Sequence, residues 1–89
     1  MKINPELCAK DEALVSAVKV GGISEVRITK PENETDYIVS VHTLRSSEPL
    51  YLATRRNPDE PRRFRHTDVA IATLERLLGV KKFTVIRED

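Results

Sequence analysis

Five of the eleven residues in the stretch RRNPDEPRRFR are arginines, and no other part of the sequence groups charged side chains as densely. The arginine guanidinium is a planar fork of N–H donors that matches the geometry of phosphate oxygens. Loops and two-stranded β-ribbons can carry such side chains to the backbone or into a groove of a nucleic acid. The stretch therefore predicts contacts with a nucleic-acid backbone, with these candidate residues: Arg55, Arg56, Arg62, Arg63 and Arg65.

The same arginines also fit a solvated loop with no partner, because charged stretches usually form faces exposed to water. Residues 55–65 carry a net charge of +3 within a chain of net charge +1. Asp59 and Glu60 lie inside the stretch and are expected to pair with two of the arginines. Neighbouring side chains of an extended segment point in opposite directions, so only part of the cluster can form one surface. A third alternative is that the arginines bind an anionic protein surface or a small anion.

Groups for nucleophilic or metal chemistry are sparse. The chain has one cysteine, Cys8, and two histidines, His42 and His66. No short motif links these residues to an acid or to one another, and their positions do not have the spacing of a metal site. We therefore expect no enzyme, no metal ion and no cofactor, and we interpret Cys8 as a structural thiol.

The composition is that of one small globular domain. The chain has 89 residues, of which 39% are hydrophobic and 33% are charged, so residues 1–89 are expected to form a single domain with a modest core. Phe and Tyr number two each and Trp is absent, which argues against an aromatic stacking platform for single-stranded nucleic acid. The single cysteine and the lack of a long apolar run predict a cytoplasmic protein that does not enter a membrane.

The first half of the sequence predicts a helix followed by a β-hairpin. Asn4 is a candidate N-cap and Pro5 suits the first helical position, so we predict a helix over residues 5–19 that Gly21 and Gly22 end. The segment ISEVRITK alternates in polarity, and YIVSVHTL is rich in β-branched residues. Because the turn-forming PENETD separates them, these segments are expected to pair antiparallel over residues 24–44.

The second half predicts a strand, a loop, a helix and a last strand. LYLATRR has the pattern of a third strand, and the turn residues of NPDEP would return the chain along it through RRFR. This arrangement makes the arginine stretch the tip of a second hairpin, with Phe64 as its apolar anchor. HTDVAIATLERLLGV is the clearest helix, with Thr67 as N-cap and Gly79 as C-cap. KKFTVIRED is typical of a final strand.

These elements predict the fold class and the core. We expect a single α+β domain in which a mostly antiparallel sheet of four or five strands carries both helices on one face, in the order α-β-β-β-(β)-α-β. The other sheet face would be polar or used for binding. The side chains expected to be mostly buried are Leu14, Val18, Val26, Ile28, Val39, Val41, Leu52, Phe64, Ile71, Leu74, Leu78, Phe83 and Val85.

The sequence YLATRR…EPRRFRHTDVAIATLERLLGVKKFTV resembles a short module of small, mostly uncharacterised proteobacterial proteins, some of them encoded on plasmids and integrative elements. In that module a YL-T-R strand is followed by a PR-F return, a helix and LG(I/V)--F-V. The match covers about residues 50–86, and the NPDE tip is longer than the turn of the module. The resemblance implies a non-enzymatic accessory protein of DNA maintenance and identifies no catalytic residue.

Two functions are compatible with these patterns. The first is a non-enzymatic accessory protein that contacts a nucleic-acid backbone through the arginine hairpin. The alternative is a protein-interaction module that uses the open sheet face or a strand edge, with the arginine loop merely solvated. A large apolar patch on the open sheet face would favour the protein partner. The sequence contains no signal that sets the oligomeric state.

Overall fold

The computed structural model describes residues 3–88. These residues form a five-stranded sheet with two helices packed on one of its faces. A single 3-10 turn, Pro5–Leu7, precedes the sheet. The other elements, in chain order, are β1 (Cys8–Ala9), α1 (Asp11–Gly21), β2 (Ile23–Lys30), β3 (Ile38–Thr43), β4 (Leu50–Leu52), α2 (Thr67–Leu78) and β5 (Thr84–Arg87). The strands lie in the order β1-β4-β3-β2-β5. This architecture confirms the predicted single α+β domain.

The hairpin predicted over residues 24–44 is confirmed as β2 and β3. The two strands pair antiparallel, with Val26 opposite Val41 and Ile28 opposite Val39. Alternate residues of a strand share a face, so these four side chains point together towards the helices, where each is at most 2% exposed. The pairing of β-branched residues on this face stabilises the centre of the sheet.

The sheet is mixed, whereas the sequence predicted a mostly antiparallel one. β3 pairs antiparallel with β2 and with β4, but β1 pairs parallel with β4 and β5 pairs parallel with β2. Parallel neighbours require long connections, and the connections from β1 to β4 and from β2 to β5 each contain a helix. The predicted return of the last strand to the sheet is thereby confirmed.

The predicted first helix over residues 5–19 is wrong in its first part. Asn4 caps as expected, its Oδ1 accepting a backbone N–H at 3.0 Å, but the cap closes only a single 3-10 turn. The chain then extends as β1, where the Ala9 carbonyl accepts the N–H of Ala53 at 2.8 Å. α1 begins only at Asp11. Sheet pairing of these residues therefore overrides their helical pattern.

The predicted second hairpin, which would carry the arginine stretch at its tip, forms only at its base. β4 ends at Leu52, and beyond it Ala53 forms one isolated bridge with Pro61. The Arg62 N–H donates to the Leu52 carbonyl at 2.6 Å, but Pro61 has no N–H to donate, so the bridge does not extend into a ladder. The returning chain instead crosses to Tyr37, which exchanges two backbone hydrogen bonds with Phe64 at 2.7 and 2.8 Å.

The helix predicted after the arginine stretch is confirmed as α2. Thr67, the predicted N-cap, is its first residue, and His66 occupies the N-cap position without a side-chain hydrogen bond. At the other end Gly79 has φ 68°, in the left-handed region, and its N–H donates to the Glu75 carbonyl at 2.9 Å. Neither helix within residues 3–88 has the length and apolar character needed to cross a membrane.

The core lies between the two helices and one face of the sheet. Most of the predicted core residues are buried there: Leu14, Val26, Ile28, Val39, Val41, Leu52, Phe64 and Leu74. Others are partly buried and pack against them: Val18, Ile71, Leu78 and Phe83. The prediction is wrong for Val85, which is 48% exposed, because β5 is an outermost strand and β2 is its only strand neighbour within residues 3–88.

Candidate functional site

Residues 55–65, which we call the arginine segment, form a loop that is fixed near both ends. Near its start, the Thr54 hydroxyl accepts the N–H of Asn57 at 3.0 Å. Near its end, the Phe64 side chain is only 3% exposed and belongs to the core. The backbone of the segment is thus positioned by the fold, and each arginine has different surroundings.

Two of the five arginines pair with glutamates from other parts of the fold. The Arg55 guanidinium donates to Glu12 in the first turn of α1. The Arg63 guanidinium donates to Glu34 in the connection between β2 and β3. The Arg55–Glu12 pair is largely exposed to solvent and the Arg63–Glu34 pair only partly so. Screening by water limits the contribution of such pairs to stability. They nevertheless neutralise part of the charge that the sequence places in this segment.

The prediction that acids within the segment neutralise its arginines is wrong. Asp59 and Glu60 form no ion pair with any residue between positions 3 and 88. Their charges act on Cys8 instead. Burial raises the pKa of the Cys8 thiol most, and the negative charges of Asp59 and then Glu60 raise that pKa further. Cys8 is therefore mainly a neutral thiol near neutral pH, which is unlike a reactive cysteine.

The three remaining arginines have no acidic partner in the described part of the chain. Arg62 lies over the Phe64 ring, with its Cζ 4.7 Å from the ring centroid, a cation–π contact. Arg56 and Arg65 are exposed, and no hydrogen bond or ion pair joins either of them to another described residue. Once the two glutamate partners are counted, the net charge of +3 in this segment falls to +1.

A second candidate site lies at one edge of β2. β5 pairs with β2 only from Arg27 to Lys30, so residues 23–26 have no strand beside them on that side. The chain that leads into β5 forms the opposite wall of an open groove of about 750 Å³. We call this the β2-edge groove, and its lining consists of residues 23–26 and residues 80–84.

The β2-edge groove has an irregular strand on one side and apolar support beneath it. The register between β2 and β3 shifts at Ser24, whose hydroxyl donates to the His42 carbonyl at 3.0 Å. Such bulges are common at sheet edges and beside functional sites. Ile23, Val80 and Phe83 are partly buried and pack against the core. The groove is therefore backed by packed side chains.

In the β2-edge groove the negative charge is paired, whereas the positive charges form no ion pair within residues 3–88. Glu25 accepts hydrogen bonds from Arg27 Nε at 2.8 Å and from Thr84 Oγ1 at 3.0 Å. These two hydrogen bonds, that from Arg27 first, hold the pKa of the Glu25 carboxyl below its usual range. Lys81 and Lys82 are exposed and have no ion pair within residues 3–88. The unneutralised charge of the groove is consequently positive.

The open face of the sheet brings together mostly polar side chains. Cys8 lies beside Tyr51 in the register of β1 and β4, and its Sγ contacts the Asn4 carbonyl at 4.0 Å. No hydrogen bond within the described chain joins Cys8 to His42 or to a carboxylate. The same residues contain no cluster of His, Cys, Asp and Glu suited to a metal ion. A shallow depression of about 160 Å³ on this face has mostly polar neighbours: Arg27, Thr29, Ile38, Ser40, His42, Pro49, Tyr51, Ile86 and Glu88.

Comparison with known proteins adds no relative. No family model matches this chain, and no curated protein or solved structure is significantly similar to it. The resemblance of residues 50–86 to proteobacterial accessory proteins therefore stays a prediction. Any function has to be inferred from the arginine segment and the β2-edge groove themselves.

Proposed function

We propose that this protein is a non-enzymatic interaction module that binds an extended segment of a partner protein in the β2-edge groove. The observation that carries this proposal is the incomplete pairing of β2, in which residues 23–26 face a groove instead of a strand. Extended peptides bind such edges by adding a strand to the sheet. Their main-chain hydrogen bonds supply affinity, and the pockets for alternate side chains supply specificity.

The dimensions of the groove suit a short extended segment. Four residues of β2 lack a neighbour on this side, and four residues of a strand span about 13 Å at roughly 3.3 Å per residue. The opposite wall, residues 80–84, keeps the site narrower than an open sheet edge. Ile23 and Phe83 provide apolar surface that is held in place by the core. An incoming strand would therefore bind to a preformed surface.

The remaining surfaces support a binding role more than a catalytic one. The depression on the open sheet face is shallow and its lining is mostly polar, so of the two surfaces considered for a protein partner the strand edge is favoured over the face. A nucleophile needs a base and an orienting group within hydrogen-bond reach. Cys8 has neither in the described chain, and its pKa is raised. These observations support a non-enzymatic protein.

Occlusion of the groove tests the proposal. Ser24 is exposed and lines the groove, so Ser24→Trp should fill the site without entering the core. Ser47→Trp is a matched control, because Ser47 is also exposed and lies outside the groove lining. Peptides selected from a random library displayed on phage should bind the wild-type protein and Ser47→Trp, and should lose affinity for Ser24→Trp.

The location of binding is checked by amide chemical shifts. On adding a selected peptide, the shifted amides in nuclear magnetic resonance spectra should lie in residues 23–26 and 80–84. Equal affinity for wild type and Ser24→Trp, or shifts confined to other surfaces, would falsify a partner site at this edge. A library that yields no binding peptide would count against the proposal in the same way.

A second candidate function is weak contact with a nucleic-acid backbone, favoured by the exposure of Arg56 and Arg65, which have no acidic partner among residues 3–88. With Arg62 they could neutralise two or three phosphates, so the log–log salt dependence of binding to duplex DNA should have a slope of roughly −2 to −3. The double variant Arg56→Ala, Arg65→Ala should reduce that slope. The control is Arg55→Ala, Arg63→Ala, which removes arginines already paired with glutamate. Equal effects of the two double variants, or no binding at low salt, would reject this candidate.

A further inference from the structure

We infer that the partner segment of the β2-edge groove is an extended peptide in which acidic and apolar residues alternate. This inference rests on the proposed function, and it adds the chemistry by which the site would select its partner. Three properties support this partner: the lysines of the groove form no ion pair within residues 3–88, its glutamate is neutralised, and the side chains of a bound strand alternate between two faces.

The lysines give the groove its available charge. Lys81 and Lys82 are consecutive residues of the outer wall, and both are exposed. Neither forms an ion pair with any residue from 3 to 88. An ammonium group on a flexible stem can reach a carboxylate on a neighbouring strand. Two such groups beside an empty strand position therefore favour an anionic occupant.

The one carboxylate of the groove lining does not oppose this attraction. Glu25 is held by Arg27 Nε at 2.8 Å and by Thr84 Oγ1 at 3.0 Å. The Arg27 guanidinium compensates the charge of Glu25 at short range. An acidic partner would consequently meet a neutral ion pair on the β2 side and, on the opposite wall, two ammonium groups that form no ion pair with residues 3–88.

The alternation of side chains along an extended peptide determines which residues of the partner have to be apolar. Successive side chains of an extended segment point to opposite faces. One face would pack on the apolar surface formed by Ile23, Val80 and Phe83, which rests on the core. The other set of side chains would stay near the exposed rim, within reach of Lys81 and Lys82. An alternating acidic and apolar segment matches both sets, whereas a nucleic-acid backbone has no side chains that fill the apolar part.

Two designed peptides test the inference. The probes are a blocked six-residue peptide of alternating Glu and Val and its counterpart of alternating Lys and Val. The double variant Lys81→Glu, Lys82→Glu reverses the charge of the wall. Its control, Lys10→Glu, Lys19→Glu, makes the same change in net charge at exposed lysines outside the groove lining. Affinities are measured by calorimetry at low and at physiological salt.

The wild-type protein should prefer the Glu peptide to the Lys peptide by about tenfold or more, the size expected for two partly exposed charge contacts. Lys81→Glu, Lys82→Glu should invert that preference, while the control double variant should keep it. Added salt should reduce the preference without removing all binding, because the apolar contacts are insensitive to screening.

Failure of the inference differs from failure of the proposed function. Suppose that library peptides bind in the groove, but that the two designed peptides bind with equal affinity or that Lys81→Glu, Lys82→Glu leaves their affinities unchanged. The inferred partner chemistry is then wrong, while the groove is still the binding site. If the Glu peptide binds Ser24→Trp as well as it binds wild type, the groove is not the site and both proposals fail. If a single-stranded oligonucleotide of equal charge displaces the Glu peptide and shifts the same groove amides, the occupant is a polyanion instead of a peptide strand.

Discussion

Phe64→Ala is the substitution that best tests how the arginine segment is anchored. Phe64 is 3% exposed and packs in the main core. A buried phenylalanine removes about 150–250 Å² from water, worth about 4–6 kcal/mol at roughly 25 cal/mol per Å². Alanine retains the β-carbon and the surroundings relax in part, so the expected loss in the free energy of unfolding is about 3–5 kcal/mol. That loss is a large share of the stability of a small domain.

Urea unfolding followed by far-UV circular dichroism and by tyrosine fluorescence measures this loss. Agreement of the two signals supports two-state unfolding, and a common m-value allows the midpoints to be compared as free energies. Phe83→Ala is the matched control, since Phe83 is only partly buried and packs at the rim of the core. It should lose clearly less stability. If Phe64→Ala is unfolded in buffer, titration in the presence of trimethylamine N-oxide restores a measurable transition.

The same variant should also loosen the arginine segment locally. Tyr37 and Phe64 exchange backbone hydrogen bonds at 2.7 and 2.8 Å, and the buried ring holds these two chains together. In Phe64→Ala their amides should exchange with solvent faster relative to the amides of β2 and β3. A loss below about 1 kcal/mol, equal losses in the two Phe variants, or unchanged protection of Tyr37 would refute the anchoring role, because large losses are expected only at true core sites.

Three further outcomes are expected. Leu74→Ala, at a site with 0% exposure, should lower the free energy of unfolding by about 2–5 kcal/mol in urea titrations, and a loss typical of a surface site would show that the buried face of α2 is misassigned. Glu25 has a lowered pKa owing to Arg27 and then Thr84, so its contribution to stability is present above the usual glutamate pKa and disappears as pH falls through the lowered value. Glu25→Gln should therefore be less stable than wild type at neutral pH and equal to it in acid, and a difference that persists in acid contradicts this. The Cys8 thiol should be alkylated by iodoacetamide with a rate profile displaced to higher pH than that of the unfolded chain, and Asp59→Asn should move the profile back towards lower pH.

The central hairpin and α2 were predictable because their signals are local. The alternation around Val26 and Ile28 and the β-branched run of β3 are sufficient to pair two strands separated by a turn. Gly79 ends α2 where a residue with positive φ is needed. In each case the residues that specify the element lie within the element or next to it.

The elements that were mispredicted depend on distant partners. Cys8 and Ala9 become a strand only because Tyr51 and Leu52 lie beside them in the sheet, and the helical pattern of residues 5–19 contains no trace of that pairing. Val85 has the alternation of a buried strand residue, but its exposure depends on β5 being outermost in the sheet. The order of strands in a sheet depends on connections and packing over the whole chain. The periodicity of apolar residues within one segment contains no information about that order.

The candidate sites show the same limit. Glu12 lies 43 positions from Arg55, and Glu34 lies 29 positions from Arg63, so no window of sequence could show that these arginines are paired. Asp59 and Glu60 are close in sequence, but the turn does not direct them to the arginines. The β2-edge groove was missed because it depends on where β5 begins. Its one sequence signal is Ser24, a polar residue where the alternation of Val26 and Ile28 predicts an apolar side chain. In the structure the register shifts at Ser24, and the residue is exposed.

An incompletely paired strand edge has to be either protected or used. β1 is two residues long and offers little edge, and β5 offers an outer edge of four residues. Residues 23–26 of β2 also form an unpaired edge, and a groove lies beside them. Pairing of this edge with the same edge of a second copy would bring two sets of Lys81 and Lys82 close together. Like charges at that distance repel, so the lysines disfavour self-association through the groove. The same two charges attract an acidic strand, which makes one pair of side chains sufficient both to prevent unwanted pairing and to select the proposed partner.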